Sequence, residues 1–437
     1  MTPSARVRAS DANLRFLLRP HPTLGFPIPR YEGASVANVA SSVAGAVGGV
    51  DGGAPELLPP LLPSLDPFSG RSASGPVVVL IIDGLGWFPF RSWARTAPEV
   101  GARWAAFSRA ITTVFPTTTT AALTSVSSAV APGTHGLVGY RQYLPRFGVV
   151  ADLLRMSPVG VTGNDLLVHR GFRPALVSGA PTIFRRGLSA VAISRDRFQD
   201  SGFTRVLYDG AAYVPYATGT DLAHELLRVL QRTRPPSVVY AYWDELDTIQ
   251  HLKGPEEPGL FGLELGRVAG LIDWVGRHLG RRRARETTIL ATGDHGQVAS
   301  AIDRQLRVDR WPEVAREMAH PIGGDRRAGF FAAKPGRAGA LERALRRRLP
   351  SGSRVVSMDE ALGAGAFGPG PFHPEISSRL GDWLALVPPP WGMRDLAPGA
   401  TPPSRHLFGA HGGVDPAELI VPLISAKLSE LTGTADR

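Results

Sequence analysis

At 437 residues, 43% hydrophobic and 20% charged, the chain is long enough for two or three domains, or for one large domain carrying an insert. It has no Cys, which excludes disulfides, thiolate metal sites and cysteine nucleophiles, including a cysteine-derived formylglycine. The net charge of +10 comes almost wholly from Arg, with Lys only at 253, 334 and 427. The Arg runs at 281–283 and 346–348 close amphipathic segments without the interleaved aromatics of a nucleic-acid groove, so no nucleic-acid polymer is expected as a partner.

In chain order, the segment Met1–Arg8 and its continuation through Asp11, Arg15 and Arg19 make a poor signal peptide, because the first apolar stretch, Ala34 to Val50, starts late and is diluted by Ser and Gly. A cytoplasmic location is expected, with export left open. Ala34 to Val50 reads as a short helix. Residues 51–75 are rich in Pro, Gly and Ser, and Pro59-Pro60-Leu61-Leu62-Pro63 reads as an extended connector. Val77–Ile82 is an unbroken apolar run, as expected of a strand covered on both faces. Thr120–Val130 reads as a helix. Residues 141–215 are less legible. Ser237–Tyr242 is a second strand, Leu260–Leu279 a helix with Leu263, Val268, Leu271, Ile272, Val275 and Leu279 at helical spacing, and Thr287–Ala291 a third buried strand.

The character then changes. Ala328–Ala333 and Trp383–Val387 read as strands and Ala338–Arg348 as a helix, with a Gly/Pro-rich loop near 363–374 between them. Leu419–Ile424 is a late apolar run whose Pro422 argues for an edge strand or a strand end. No stretch is long and apolar enough to span a bilayer.

Strand–helix alternation predicts an α/β fold: a mainly parallel central sheet with helices on both faces. The expected division is an arm and connector over 1–75, a catalytic core over 76–300 plus 405–430, and an inserted α+β cap over 301–404. In such sheets the ligand site lies beyond the carboxyl ends of the strands. Asp83, Asp247 and Asp294 each fall at or just after such an end, which predicts one shared site.

Five segments carry the chemistry: Ile82-Asp83-Gly84, Phe115–Thr120, Asp247-x-x-x-His251, Gly293-Asp294-His295-Gly296 and Ala410-His411-Gly412-Gly413. Together they supply three Asp, three His and a hydroxyl, the inventory for two divalent metals and an oxygen nucleophile. Asp247 and His251 share one face of a helical turn. Adjacent Asp294 and His295 reach one metal only at an irregular turn, for which Gly293 and Gly296 supply conformational freedom. A Thr hydroxyl at a helix N-terminus lies beside amide groups suited to phosphate oxygens.

In this order the five segments resemble the type I phosphodiesterase/nucleotide pyrophosphatase branch of the alkaline phosphatase superfamily. The likeness is good over 76–140, 237–300 and 405–425 and loose elsewhere. It implies a phosphoric ester hydrolase acting on phosphodiester or pyrophosphate bonds of a small-molecule substrate, through a covalent phospho-threonine and two divalent metals, zinc first, with manganese also compatible. In that branch a Pro-x-x-Thr supplies the nucleophile ahead of a Pro-x-x-His-Gly. Counting back from Pro132–Gly136 lands on Thr119, with Thr118 and Thr120 as neighbouring registers. The resemblance then places Asp83, Thr119, Asp294 and His295 on one metal and Asp247, His251 and His411 on the other; His135 matches a structural position. Relatives in this branch usually carry Asn where this chain has Tyr140, whose hydroxyl could serve the same phosphoryl oxygen or whose ring could stack on substrate. Arg141 beside it would suit the extra charge of a phosphomonoester. A phosphomonoesterase or phosphonate hydrolase on the same scaffold is the alternative; a non-catalytic binder of phosphate or nucleic acid is a third reading. The oligomeric state is not encoded in any feature of the sequence.

Overall fold

The computed structural model describes residues 12–48, 57–257, 259–395 and 406–434. The start of the arm, residues 49–56 of the connector region and the end of the expected insert (396–405) lie outside the described residues.

The central sheet is built from β1 (Val77–Ile82), β2 (Ser108–Thr112), β3 (Ala190–Arg195), β4 (Ala212–Tyr216), β5 (Val238–Trp243), β6 (Thr288–Thr292) and β7 (Ile420–Lys427), in the spatial order β2-β7-β6-β1-β5-β3-β4. Only β7 runs antiparallel to its neighbours; the other adjacent pairs are parallel. β1 and β5 are buried at every residue, as their unbroken apolar sequences require of strands covered on both sides. Side chains of β5 identify the two covers. The Tyr240 hydroxyl donates to the Val126 carbonyl at 2.9 Å, in the helix Thr119–Ser128, while Trp243 Nε1 donates to Glu264 Oε1 at 2.8 Å, in the helix Leu260–His278. Residues three apart in a strand point to opposite faces, so these helices lie on opposite sides of the sheet. The protein is thus an α/β fold with a mostly parallel central sheet.

The Ala/Val helix near the N-terminus is Val36–Ala46, and it packs against Thr119–Ser128. The latter is buried along its whole length despite six hydroxyl residues. Three of these hydroxyls are satisfied locally: Thr124 Oγ1 donates to the Thr120 carbonyl at 2.7 Å, and Ser127 Oγ and Ser128 Oγ donate to the Thr124 carbonyl at 3.1 and 2.6 Å.

Two expectations need correction. Leu263 does not belong to the buried stripe of its helix; it is 72% exposed, while Phe261, Leu265, Val268, Ile272 and Val275 face the core. At 100° per residue Leu263 falls well away from Leu265, and the spacing of the other five sets the face. Pro422 does not mark an edge strand, because β7 lies inside the sheet. Pairing with β6 begins only at Leu423, opposite Thr292, so Pro422 is flanked by a ladder partner, Ala110 of β2, on one side only. The missing N–H is tolerated there.

A second, wholly antiparallel sheet runs Arg354–Ser357, Trp383–Leu386, Ala328–Phe331, Gly323–Gly324, Arg141–Leu144, Val149–Asp152 and Ser157–Pro158. It takes strands from 323–386 and from 141–158, so the segment following Tyr140 pairs with the expected cap, whereas 190–216 returns to the central sheet as β3 and β4. No helix among the described residues is long and apolar enough to cross a membrane.

Candidate metal centre

Five adjacent strands bring the candidate residues to one edge of the central sheet. Asp83 directly follows β1, Asp294 and His295 follow β6, and the helix Glu245–Lys253, which carries Asp247 and His251, follows β5. β2 leads into the segment that ends at Thr119. His411 precedes β7. Because β7 is antiparallel, its amino end lies beside the carboxyl end of β6, with Leu423 opposite Thr292. The one reversed strand therefore places the last imidazole on the same edge as the others.

Thr119 Oγ1 lies 3.1 Å from His295 Nε2. The same nitrogen is 3.5 Å from Asp83 Oδ1 and 3.5 Å from Asp294 Oδ2. His251 Nε2 lies 3.4 Å from Asp247 Oδ1. The His411 ring stacks on His295 with centroids 3.9 Å apart, and lies 5.2 Å from the His251 ring. Asp83, Asp294 and His295 form one group whose ligand atoms all lie within 4.8 Å of one another; Asp247, His295 and His411 form a second. His295 thus stands between the two groups, and His251 joins the second through Asp247.

Neighbouring groups leave the ligand atoms free. The Nδ1 atoms of His251, His295 and His411 face the carbonyls of Gly409 (2.9 Å), Gly296 (3.1 Å) and Thr117 (3.0 Å). With Nδ1–H donating to a carbonyl, each Nε2 keeps its lone pair for a metal. Asp294 Oδ1 accepts the amides of Gly84 (3.0 Å) and His295 (2.9 Å), while its Oδ2 and Asp83 Oδ1 are buried without a hydrogen-bond partner. Buried carboxylate oxygens left bare in this way are what a cation would satisfy. Burial pushes the Asp83 carboxyl well above the usual carboxylate range, with the charges of Asp294 and Asp247 adding to it; burial raises Asp294 too. Burial likewise pushes His411 well below the usual imidazole range, with His295 and His251 next. Three carboxylates and three imidazoles packed together, the carboxylates in no ion pair with Lys or Arg among the described residues, fit a divalent-metal site.

The threonines divide their work. Thr117 Oγ1 donates to the Gly413 carbonyl (3.0 Å) and accepts the Gly412 amide (2.9 Å), fastening the His411 loop; Thr120 Oγ1 donates to the Gly139 carbonyl at 2.9 Å. Thr118 is the N-cap of the helix Thr119–Ser128, and its buried hydroxyl faces the Asp325 carboxyl. Thr119, the first helical residue, turns its hydroxyl to the histidine cluster. His135 stands apart, as a buried imidazole between Ser125 Oγ (3.0 Å) and the Leu137 amide (3.1 Å).

Gly293 and Gly296 serve the site for a reason other than backbone freedom. Neither has a positive φ. A Cβ on Gly293 would lie 2.3 Å from the Leu85 carbonyl oxygen, and one on Gly296 would lie 2.0 Å from that of Ala417. Close approach of chains at the sheet edge is what requires glycine here.

A cleft of about 400 Å³ opens onto the cluster, lined by Thr119, Asp247, His251 and His411 together with Tyr140, Arg141, Asp325, Arg326 and Arg394. The Tyr140 hydroxyl faces the Asp152 carboxyl; burial raises this phenol, and Asp152 adds to it. Arg141 Nη1 donates to the Asp395 carbonyl at 2.7 Å.

Sequence reasoning passed over Asp325, Gln297 and Tyr242. Asp325 Oδ2 lies 3.5 Å from His411 Nδ1, and its carboxyl also faces the Thr118 hydroxyl. The Gln297 amide donates to Asp247 Oδ1, and the Tyr242 hydroxyl to Asp83 Oδ2. Tyr242 sits in an apolar strand and reads as core. Gln297 directly follows Gly296, and Asp325 follows Gly323-Gly324, a close-approach signal inside a segment read as cap.

Residues 77–391 match the sequence profile of the family described as Type I phosphodiesterase / nucleotide pyrophosphatase. The chain belongs to this family. It is a phosphoric ester hydrolase of a family that depends on divalent metals. Similar solved structures include murine ectonucleotide pyrophosphatase/phosphodiesterase 5, at 18% identity and a TM-score of 0.59 over 79% of this chain and 87% of that one. An inactive threonine-to-alanine form of the same murine protein, in complex with AMP, aligns at 18% identity and TM-score 0.60, covering 80% and 87%. Phosphonoacetate hydrolase from Sinorhizobium meliloti 1021, in complex with phosphonoacetate, aligns at 16% identity and TM-score 0.57, covering 83% and 96%. At these identities the structural likeness speaks for the fold. No curated protein sequence matches the chain.

Proposed function

We propose that this family member hydrolyses phosphodiester or pyrophosphate bonds of small molecules, with Thr119 as nucleophile and two divalent metals, zinc first. The supporting observation is the placement of Thr119 Oγ1 3.1 Å from His295 Nε2, at the junction of the two ligand groups. Asp83, Asp294, His295 and Thr119 would hold one metal; Asp247, His251 and His411 would hold the other. Bound there, the metals would lower the pKa of the attacking hydroxyl and neutralise charge on the phosphoryl oxygens.

The chain's own groups do the rest. Thr119 Oγ1 gives up its proton and forms a bond to phosphorus as the ester or anhydride bond opposite breaks, and the leaving oxygen departs with the electron pair and takes up a proton from water. The first-turn amides of the helix Thr119–Ser128 face the phosphoryl oxygens. Water then cleaves the phospho-threonine, which regenerates the hydroxyl and releases the phosphoryl group with its remaining substituent. Gln297 and Tyr242 hold the carboxylates of Asp247 and Asp83 in place throughout. The inactivity of the murine threonine-to-alanine form, and its AMP complex, accord with this reading.

The test is turnover of bis-p-nitrophenyl phosphate against p-nitrophenyl phosphate, with zinc or manganese added. The diester is expected to be the better substrate, with Thr119→Ala inactive. Preference for the monoester would instead favour the phosphomonoesterase reading, and activity surviving in Thr119→Ala would remove the threonine from its role.

A further inference from the structure

The arginine-bearing wall of the cleft, beside the candidate metal ligands, is unusual in its charge. Arg141, Arg326 and Arg394 all line it, and none of the three makes an ion pair with a carboxylate among the described residues. Neighbouring arginines behave differently: Arg307 is held by Asp309 at 2.6 Å and Arg327 by Glu418 at 3.0 Å. Arg326 is spent on neutral acceptors, the Gly409 carbonyl (3.3 Å), Ser300 Oγ (3.3 Å) and Gln305 Oε1 (2.7 Å), and its buried Nε has no partner. The Arg394 side chain is half-buried with no hydrogen-bond partner among the described residues, and Arg141 commits one side-chain nitrogen, to the Asp395 carbonyl.

Two carboxylates share this wall; their charges offset those of Arg326 and Arg141 in part, without an ion pair to either among the described residues. Asp395 Oδ2 accepts the Ile322 amide at 3.0 Å, and Asp325 leans on His411. Burial pushes Arg326 down to about 10, with Arg394 as the next cause; burial lowers Arg394 too, with Arg307 and Arg141 adding to it. The guanidinium groups therefore repel one another in a partly dry wall, a cost that an anion placed among them would remove. The rest of the lining, Leu154, Ile322, Met393 and Leu407, is apolar.

We infer that this wall is a second anion subsite: one arm of the substrate is apolar and ends in a further oxyanion, a carboxylate or a phosph(on)ate, which Arg394 and Arg141 bind while Arg326 lends charge from behind. The inference rests on the hydrolytic reading of the same cleft and narrows its substrate class to phosphate esters or anhydrides with an additional acidic group. Guanidinium forks suit both kinds of oxyanion, because they present paired donors to two oxygens at once.

The test uses p-nitrophenyl phosphodiesters whose second arm is phenyl, 4-carboxyphenyl or 4-phosphonophenyl, with the metal-supplemented full-length protein. In the wild type kcat/KM for at least one charged arm should exceed that for phenyl by tenfold or more, chiefly through KM, and the better arm names the oxyanion. In Arg394→Gln and in Arg141→Gln that ratio should fall toward one. A wild-type ratio at or below one, or a ratio surviving both substitutions, overturns the inference. Binding provides a readout free of turnover. Calorimetric titration of the metal-supplemented Thr119→Ala protein should show 4-carboxyphenyl phosphate or 4-phosphonophenyl phosphate binding at least tenfold tighter than phenyl phosphate, with the difference lost when Arg394→Gln is added. Equal binding of all three overturns the subsite. A binding difference without hydrolysis of any ester keeps the subsite and defeats the hydrolytic reading instead.

Discussion

The loop that carries His411 is anchored by one buried ion pair, and breaking it has a calculable cost. Glu418 is fully buried, and its carboxylate accepts Arg327 Nε at 3.1 and 3.2 Å and Nη2 at 3.0 Å. It also accepts the amides of Gly413 (2.9 Å) and Asp415 (3.3 Å). Arg327 is only 2% exposed. Glu418→Ala therefore strands a buried guanidinium and two amides, and should cost about 3–5 kcal/mol. Arg327→Met leaves a carboxyl that can take up a proton, so its cost should depend on pH. Burial already raises Glu418 above its ordinary value of 4.5, and removing the opposing arginine raises it further. A folded pKa above the unfolded one means stability present below about 4.5 and lost as pH rises through the folded value. Arg327→Met should thus be more damaging at pH 8 than at pH 5. The double variant Glu418→Leu/Arg327→Met should recover at least half of the Glu418→Ala loss, because no charge is left stranded. Urea unfolding of the chelated protein, followed by tryptophan fluorescence, reads all three. A Glu418→Ala loss under about 1 kcal/mol, or a double variant no better than the single, would refute the argument.

Other outcomes follow from the same geometry. In metal-free protein the raised Asp83 and Asp294 carboxyls contribute stability that is present below about 3.8 and lost as pH rises through their folded values, so chelated Asp294→Asn should be more stable than chelated wild type at pH 8 yet gain less from added zinc, as thermal melts would read. Gly296→Ala should cost several kcal/mol and displace His295, since its Cβ would meet the Ala417 carbonyl at 2.0 Å; unfolding midpoints and metal content together check it. His135, pushed down to about 3 by burial, is held neutral, so it contributes stability above about 6.5 that is lost as pH falls toward 3; His135→Gln should flatten that part of the acid-unfolding curve.

The parts of the fold that sequence alone disclosed are those where one physical signal dominates. Val77–Ile82 and Val238–Trp243 are apolar without interruption because both faces are covered. Asp247 and His251 fall on one helix because four residues make a turn. The second sheet was harder to read. Its strands Arg141–Leu144 and Gly323–Gly324 are four and two residues long, and pair across more than 170 residues of sequence. Segments so short hold little periodicity, and long-range pairing leaves none in the local sequence. Asp325 was overlooked for the same reason: its place beside His411 depends on that pairing. Pro422 misled because propensity treats a strand as having two equivalent sides, whereas β7 gains its β6 partner only one residue later. In the candidate site, residue types and order were legible; the reversed direction of β7, which brings His411 round to the others, was not.

The most direct measurement is anomalous diffraction from zinc-soaked crystals, with metal stoichiometry determined on the same protein. The account predicts two ions per chain, one among Asp83, Thr119, Asp294 and His295 and the other among Asp247, His251 and His411. Zinc bound elsewhere, or a single ion with Thr119 outside its coordination sphere, would contradict it.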